Sequence, residues 1–160
     1  MTERDAILAF AVAFIVAVAL TPLTARLGRR VGAVDQPRER GLSEHPTPLL
    51  GGLAILAAVL AASFIFIDPG VAEDEKIRGI LVGAILVTLV GALDDRFDLP
   101  AAIKFIGQIV AATIPVVAGV EVANITLPFI GAVDLGSAGA PLTVLGIVFV
   151  INVVNFSDGV

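Results

Sequence analysis

In a chain of 160 residues, 58% hydrophobic and 16% charged, against roughly 25% charged in an ordinary soluble domain, a soluble globular protein is excluded and a membrane protein is expected. The absence of Cys, Trp and Tyr, with a single His, excludes disulfides, thiol nucleophiles and cysteine-based zinc sites, so any chemistry must run on carboxylates, amides, hydroxyls and a few cations. The net charge of −5 matters less than where Lys and Arg stand along the chain.

A membrane-crossing helix needs about 20 apolar residues, and five segments approach that length: 6–25, 49–67, 77–93, 101–120 and 141–155. The third is the marginal one, since its uncharged core covers only 79–93. The first reads as a retained span rather than a cleaved leader, because its Met-Thr-Glu-Arg-Asp start is not basic and no small-x-small cleavage site follows. After it comes a polar loop over 26–48. Pro46 and Pro48 flank Thr47 there, and Gly51 and Gly52 follow, which specifies a kinked approach to the second span rather than a flexible linker. The connection 68–76 reads as a solvated loop, and the short β-like runs around "PFIG" within 124–136 predict a small hairpin. No internal repeat or low-complexity tract appears. The expectation is one all-α integral membrane domain over 1–160, with about five transmembrane helices and a small extracytoplasmic β-hairpin. Because the chain stops just after its last polar cluster begins, it is expected to be the N-terminal part of a larger polytopic bundle.

Five spans put loop 26–48, the "DDRFD" turn and the terminal "NFSDGV" on one side. Arg26, Arg29, Arg30, Arg38, Arg40, Arg96 and Lys104 fall on that side, and Arg4, Lys76 and Arg78 on the other. The excess of cations makes the first side cytoplasmic. All polar clusters except 68–78 thus meet at one membrane surface.

Three constellations could carry chemistry. Asp94, Asp95 and Asp98 end an apolar run. Adjacent carboxylates repel, which suits a divalent metal, a general base or both, and Mg²⁺ favours one or two carboxylates completed by substrate phosphates; the bland alternative is a solvated helix end. Lys104 and Gln108, four residues apart, share a helical face and carry a polar stripe into the fourth span. A lysine beside acids is a natural partner for phosphate, whereas Arg96 reads as a topology anchor that snorkels to headgroups. Asn152, Asn155 and Asp158 recur every three residues and trace a slanting stripe able to hold a metal, a base edge or phosphates. Helix capping accounts for Ser157 and Gly159, but not for asparagines inside an apolar run. Arg38 and Arg40 could meet anionic lipid or a diphosphate, and His45 alone says little.

Asp35, Pro37, Arg40, "PTPLLGG", "GALDDRFDLPAAIKFIGQ" and "NVVNFSDG", in that order, resemble the polyprenyl-phosphate N-acetylhexosamine-1-phosphate transferases, glycosyltransferase family 4. The match covers nearly the whole chain and looks more like the branch making lipid-linked GlcNAc for wall polymers and O-antigen than the branch handling UDP-MurNAc-pentapeptide. Ser43 stands where the family usually carries its loop histidine, with His45 two positions on, and Leu49 stands where arginine is common.

The resemblance implies a multi-pass enzyme of the bacterial inner membrane, active on its cytoplasmic side. A polyprenyl (undecaprenyl) phosphate would attack the β-phosphorus of a UDP-N-acetylhexosamine, with Mg²⁺ or Mn²⁺, releasing UMP. Carried over by motif, Asp94 and Asp95 are the catalytic pair; Lys104, Asn152, Asn155, Asp158 and Arg40 bind substrate; and Asp95 and Asn155 are metal ligands. Membrane lipid is a partner, nucleic acid is not, and a homodimer is compatible with the reading. The 160-residue piece alone is expected not to turn over. Two other classes stay open. A carrier would place its acids near the midplane rather than at one interface, and a non-catalytic anchor would tolerate free replacement of Asp94, Asp95 and Asn155.

Overall fold

Apolar helices and two small strand pairs make up the structure, a computed structural model describing residues 2–35, 46–129 and 131–158. The order is α1 (Glu3–Val31), β1 (Val34–Asp35), β2 (Thr47–Pro48), α2 (Gly51–Phe66), the single turn α3 (Pro69–Ala72), α4 (Glu75–Phe97), α5 (Ala101–Val117), β3 (Asn124–Leu127), β4 (Gly131–Asp134), a 3₁₀ turn (Gly136–Ala138) and α6 (Gly139–Asp158).

Three stretches are long and apolar enough to cross a membrane: Glu3–Val31, Glu75–Phe97 and Gly136–Phe156. The third predicted span is therefore not the marginal one. Its charged flanks extend the helix at both ends instead of stopping it, with Glu75 in the first turn and Arg96 in the last, each favourable to the helix dipole. The short helices are α2, with 16 residues, and α5, with 17. At 1.5 Å per residue they reach about 24–26 Å, less than the ~30 Å hydrocarbon core. α5 ends three residues earlier than the apolar run suggests. Gly119 takes a left-handed φ of 91°, and the N–H groups of Gly119 and Val120 donate to Val116 O and Pro115 O at 3.0 and 2.9 Å, a Schellman stop.

The chain forms two compact units, one of residues 1–72 with 88–100, the other of 73–87 with 101–160. In the first, α1 packs on α2. The α2 positions buried are Ala54, Ala58 and Ala62, one every fourth residue and so on one face. α1 starts on a capping box: Thr2 N–H donates to Asp5 Oδ2 at 2.7 Å, and Asp5 N–H to Thr2 Oγ1 at 3.2 Å. It ends at Gly32, with φ 77°, beyond which Ala33 N–H donates to Gly28 O at 2.9 Å.

In the second unit, α4 meets α5 through Gly79 and Gly83. A methyl on Gly79 would lie 2.5 Å from Ala118 Cβ, and one on Gly83 2.9 Å from Ala111 O and 3.1 Å from Pro115 Cδ. Since Pro115 has no N–H, the Ala111 carbonyl lacks its usual helical donor, and the bare Gly83 backbone approaches it. The expected hairpin is present, with Asn124 opposite Asp134 and Leu127 opposite Gly131. It is anchored by Val122 N–H donating to Thr143 Oγ1 at 2.9 Å. Most buried positions are small, chiefly alanine and glycine, while Phe10, Phe14, Phe64 and Phe149 are exposed, the inside-out pattern of helices that face lipid and approach one another through small residues.

Candidate active site

In the first unit the polar end is built on backbone. α4 keeps its helical turns through Asp94 and Asp95, both half-buried. Asp98 N–H then donates to Asp94 O at 2.8 Å while Asp98 itself turns left-handed, φ 49°, a conformation a short polar side chain tolerates. Leu99 and Pro100 follow, and α5 begins at Ala101, as a proline at a helix start favours. The paired acids thus stand in the last turn of a helix, not in a loop. Arg96 lies with its guanidinium carbon 5.1 Å from the centroid of the Phe97 ring and 3.9 Å from where a methyl on Gly32 would be. Arg96 is exposed and stacks on an aromatic face beside the C-terminus of α1, where a cation is favourable.

Loop 36–45, with Arg40 and His45, lies outside the described residues; its base does not. Val34 pairs with Pro48 and Asp35 with Thr47 in an antiparallel ladder, and Leu49 N–H donates to Ala33 O at 3.1 Å. Ala33 and Leu50 are buried, and a methyl on Gly28 would meet Ala33 O at 3.1 Å and Pro48 Cβ at 3.3 Å. Both feet of the loop are clamped at the end of α1, the ordered approach to α2 that the Pro and Gly spacing predicts.

The second unit holds Lys104, Gln108, Asn152, Asn155 and Asp158. Lys104 is half-buried in the first turn of α5, and Asn155 is exposed. Gln108 is only 2% exposed. Asn152 Nδ2 donates to Gln108 Oε1 at 2.7 Å and to Val148 O at 2.8 Å. A peptide carbonyl can only accept, so the second bond fixes which way the Asn152 amide faces. With both amide protons engaged, what Asn152 offers a ligand is its carbonyl oxygen, a narrower role than the open nucleotide contact expected. Asn155 and Asn152 border an open hollow of about 490 Å³ with Phe149 and Phe156. Asp158 is the last residue of α6. Sequence reasoning saw Gln108 as part of a stripe but missed its partner. The signal was there: two amides in two apolar helices each need a hydrogen bond and can supply one another.

Carboxylates, a cation and amides are the groups that bind phosphates and hard cations. Among the described residues no three His, Cys, Asp or Glu side chains form a metal-holding group, so a divalent ion at the Asp94–Asp95 turn would draw further ligands from substrate phosphate and water.

A multi-pass membrane protein with paired acids in the last turn of an apolar helix is the class that fold and site define. The profile of Glycosyl transferase family 4 matches residues 77–160, which contain α4, both acids, Lys104 and the asparagine stripe, and the chain belongs to that family. It is 34% identical over 154 residues to a probable undecaprenyl-phosphate N-acetylglucosaminyl 1-phosphate transferase of Bacillus subtilis, covering 96% of this chain and 42% of that protein. It is 35% identical to a decaprenyl-phosphate N-acetylglucosaminephosphotransferase of Mycobacterium leprae, covering 98% and 41%. A phospho-N-acetylmuramoyl-pentapeptide-transferase of Mycobacterium ulcerans is 32% identical, covering 98% and 52%. The chain spans less than half the length of the first two relatives.

Proposed function

We propose that the protein transfers N-acetylglucosamine 1-phosphate from UDP-GlcNAc to a polyprenyl phosphate at the cytoplasmic face of the bacterial inner membrane, as a first step toward a wall polymer or O-antigen. The observation that carries the reading is the family match over 77–160, which takes in every candidate site residue described here. The relatives named for GlcNAc transfer, at 34% and 35% identity, favour that donor over the muramoyl-pentapeptide donor of the relative at 32%.

In the reaction an oxygen of the lipid phosphate forms a bond to the β-phosphorus of the nucleotide sugar, the bond from that phosphorus to the bridging oxygen breaks, and UMP leaves with the bridging oxygen. Asp94 and Asp95 take or orient the proton of the lipid phosphate, and Asp95 would hold Mg²⁺, which when bound would supply charge that lowers the repulsion between phosphates. Both residues are half-buried, and hard carboxylate oxygens suit that ion. Lys104 neutralises diphosphate charge, Asn155 would be a ligand of the ion or the diphosphate, and the Asn152 carbonyl oxygen contacts the nucleotide. The cytoplasmic excess of Arg and Lys supports the orientation.

The test is UMP release by the natural full-length protein in detergent, from UDP-GlcNAc with and without undecaprenyl phosphate and Mg²⁺. Release that needs both is the expected result. No release with UDP-GlcNAc, UDP-GalNAc or UDP-MurNAc-pentapeptide would overturn the reading.

A further inference from the structure

We infer that Gln108 is a positioning residue: its buried bond to Asn152 fixes the register of α5 against α6 and so brings Lys104 and Asn155 to one level of the bundle. The inference rests on the transferase reading above.

α5 and α6 run antiparallel. Val122, beyond the end of α5, bonds Thr143 early in α6, whereas Gln108, earlier in the chain, bonds Asn152 further along α6. Lys104 precedes Gln108 by four residues and Asn155 follows Asn152 by three, so both steps lead in the same direction, by about 6 and about 4.5 Å of helix rise. The two groups therefore stand at nearly equal height, and the amide pair one turn away is the tie nearest them, while the Val122–Thr143 bond holds the opposite end.

Packing alone would not. The buried apolar side chains of α5 and α6 are Ala111, Ala112, Pro115 and Val148, and small apolar side chains present similar surfaces at several registers. A directional bond between two buried amides is satisfied at one register only, the use best attested for polar residues in apolar helix interfaces. The bond at 2.7 Å and the second, flip-fixing bond to Val148 O make Asn152 rigid on α6. Gln108 is then the side chain through which α5 is held to it.

The experiment compares wild type, Gln108→Leu and Gln108→Glu, which keeps an acceptor oxygen for Asn152 Nδ2, in the natural full-length protein. UMP release is measured per folded molecule beside the thermal unfolding midpoint. Expected is a fall of about 10²-fold in kcat/KM for UDP-GlcNAc with Gln108→Leu, the order of loss that small misplacements of a site cause, with a lower midpoint because the Asn152 amide is left without its partner, and with most of the activity kept by Gln108→Glu. An unchanged kcat/KM in Gln108→Leu would overturn the inference alone. So would a Gln108→Glu protein that keeps the wild-type midpoint but loses as much activity as Gln108→Leu. An inactive wild type would overturn the transferase reading and this inference with it.

Discussion

The first unit holds its polar end with backbone, the second with side chains. Around Asp94 and Asp95 the fixing elements are a left-handed Asp98, a glycine-ended α1 and a two-residue ladder. Around Lys104 and Asn155 they are two amides meeting inside an apolar interface. Backbone devices tolerate many side chains nearby as long as φ and hydrogen bonds are kept. A buried side-chain pair tolerates few changes, because removing one partner strands the other without water. The two halves should therefore respond differently to substitution.

The largest expected effect is on chemistry: Asp95→Asn should cut UMP release by about 10²–10⁴-fold, the range for losing a positioned acid or base, with the unfolding midpoint little changed. A smaller loss would reduce Asp95 to an electrostatic neighbour. Next, Gly83→Val should destabilise the second unit by about 1–3 kcal/mol through overpacking, since the carbonyl it meets cannot move aside. Gly52→Val in the first unit, where nothing lies within 4 Å of the added carbon, serves as the contrast, and thermal unfolding in detergent reads both. Gly79→Ala should also destabilise, and Ala118→Gly combined with it should restore part of the loss, because the clash is methyl against methyl. A backbone effect without a clash comes next: Gly32→Ala should cost about 1–2 kcal/mol from the left-handed φ alone, as its nearest contact is 3.9 Å away. The smallest is Thr2→Ala, about 1 kcal/mol from loss of the capping box, seen as faster amide exchange in the first turn of α1.

The approach to α2 over 46–52 and the turn after α4 were legible because Pro and Gly act locally. Pro46, Pro48 and the Gly51-Gly52 pair announced an ordered approach, and the structure supplies the ladder that orders it. The hairpin over 124–134 was legible for the same reason. The length of α4 was misjudged because a charge count treats Glu75, Asp94 and Arg96 as the edges of a span, whereas helical hydrogen bonding continues through charged residues in water. The surroundings of Arg96 were invisible from sequence, since Phe97 is adjacent but Gly32 lies 64 positions earlier.

Composition and spacing determined that the chain enters a membrane, how many apolar helices it forms, and the family whose motifs it carries. These follow from burial in lipid and from helical periodicity, properties each segment has alone. Tertiary structure decided the rest: that Asn152 turns its amide to Gln108, that Arg96 reaches Gly32, and that Gly79 and Gly83 are among the close contacts. Those outcomes depend on which faces meet and at what register, and register is set by contacts between residues dozens of positions apart that no local pattern encodes.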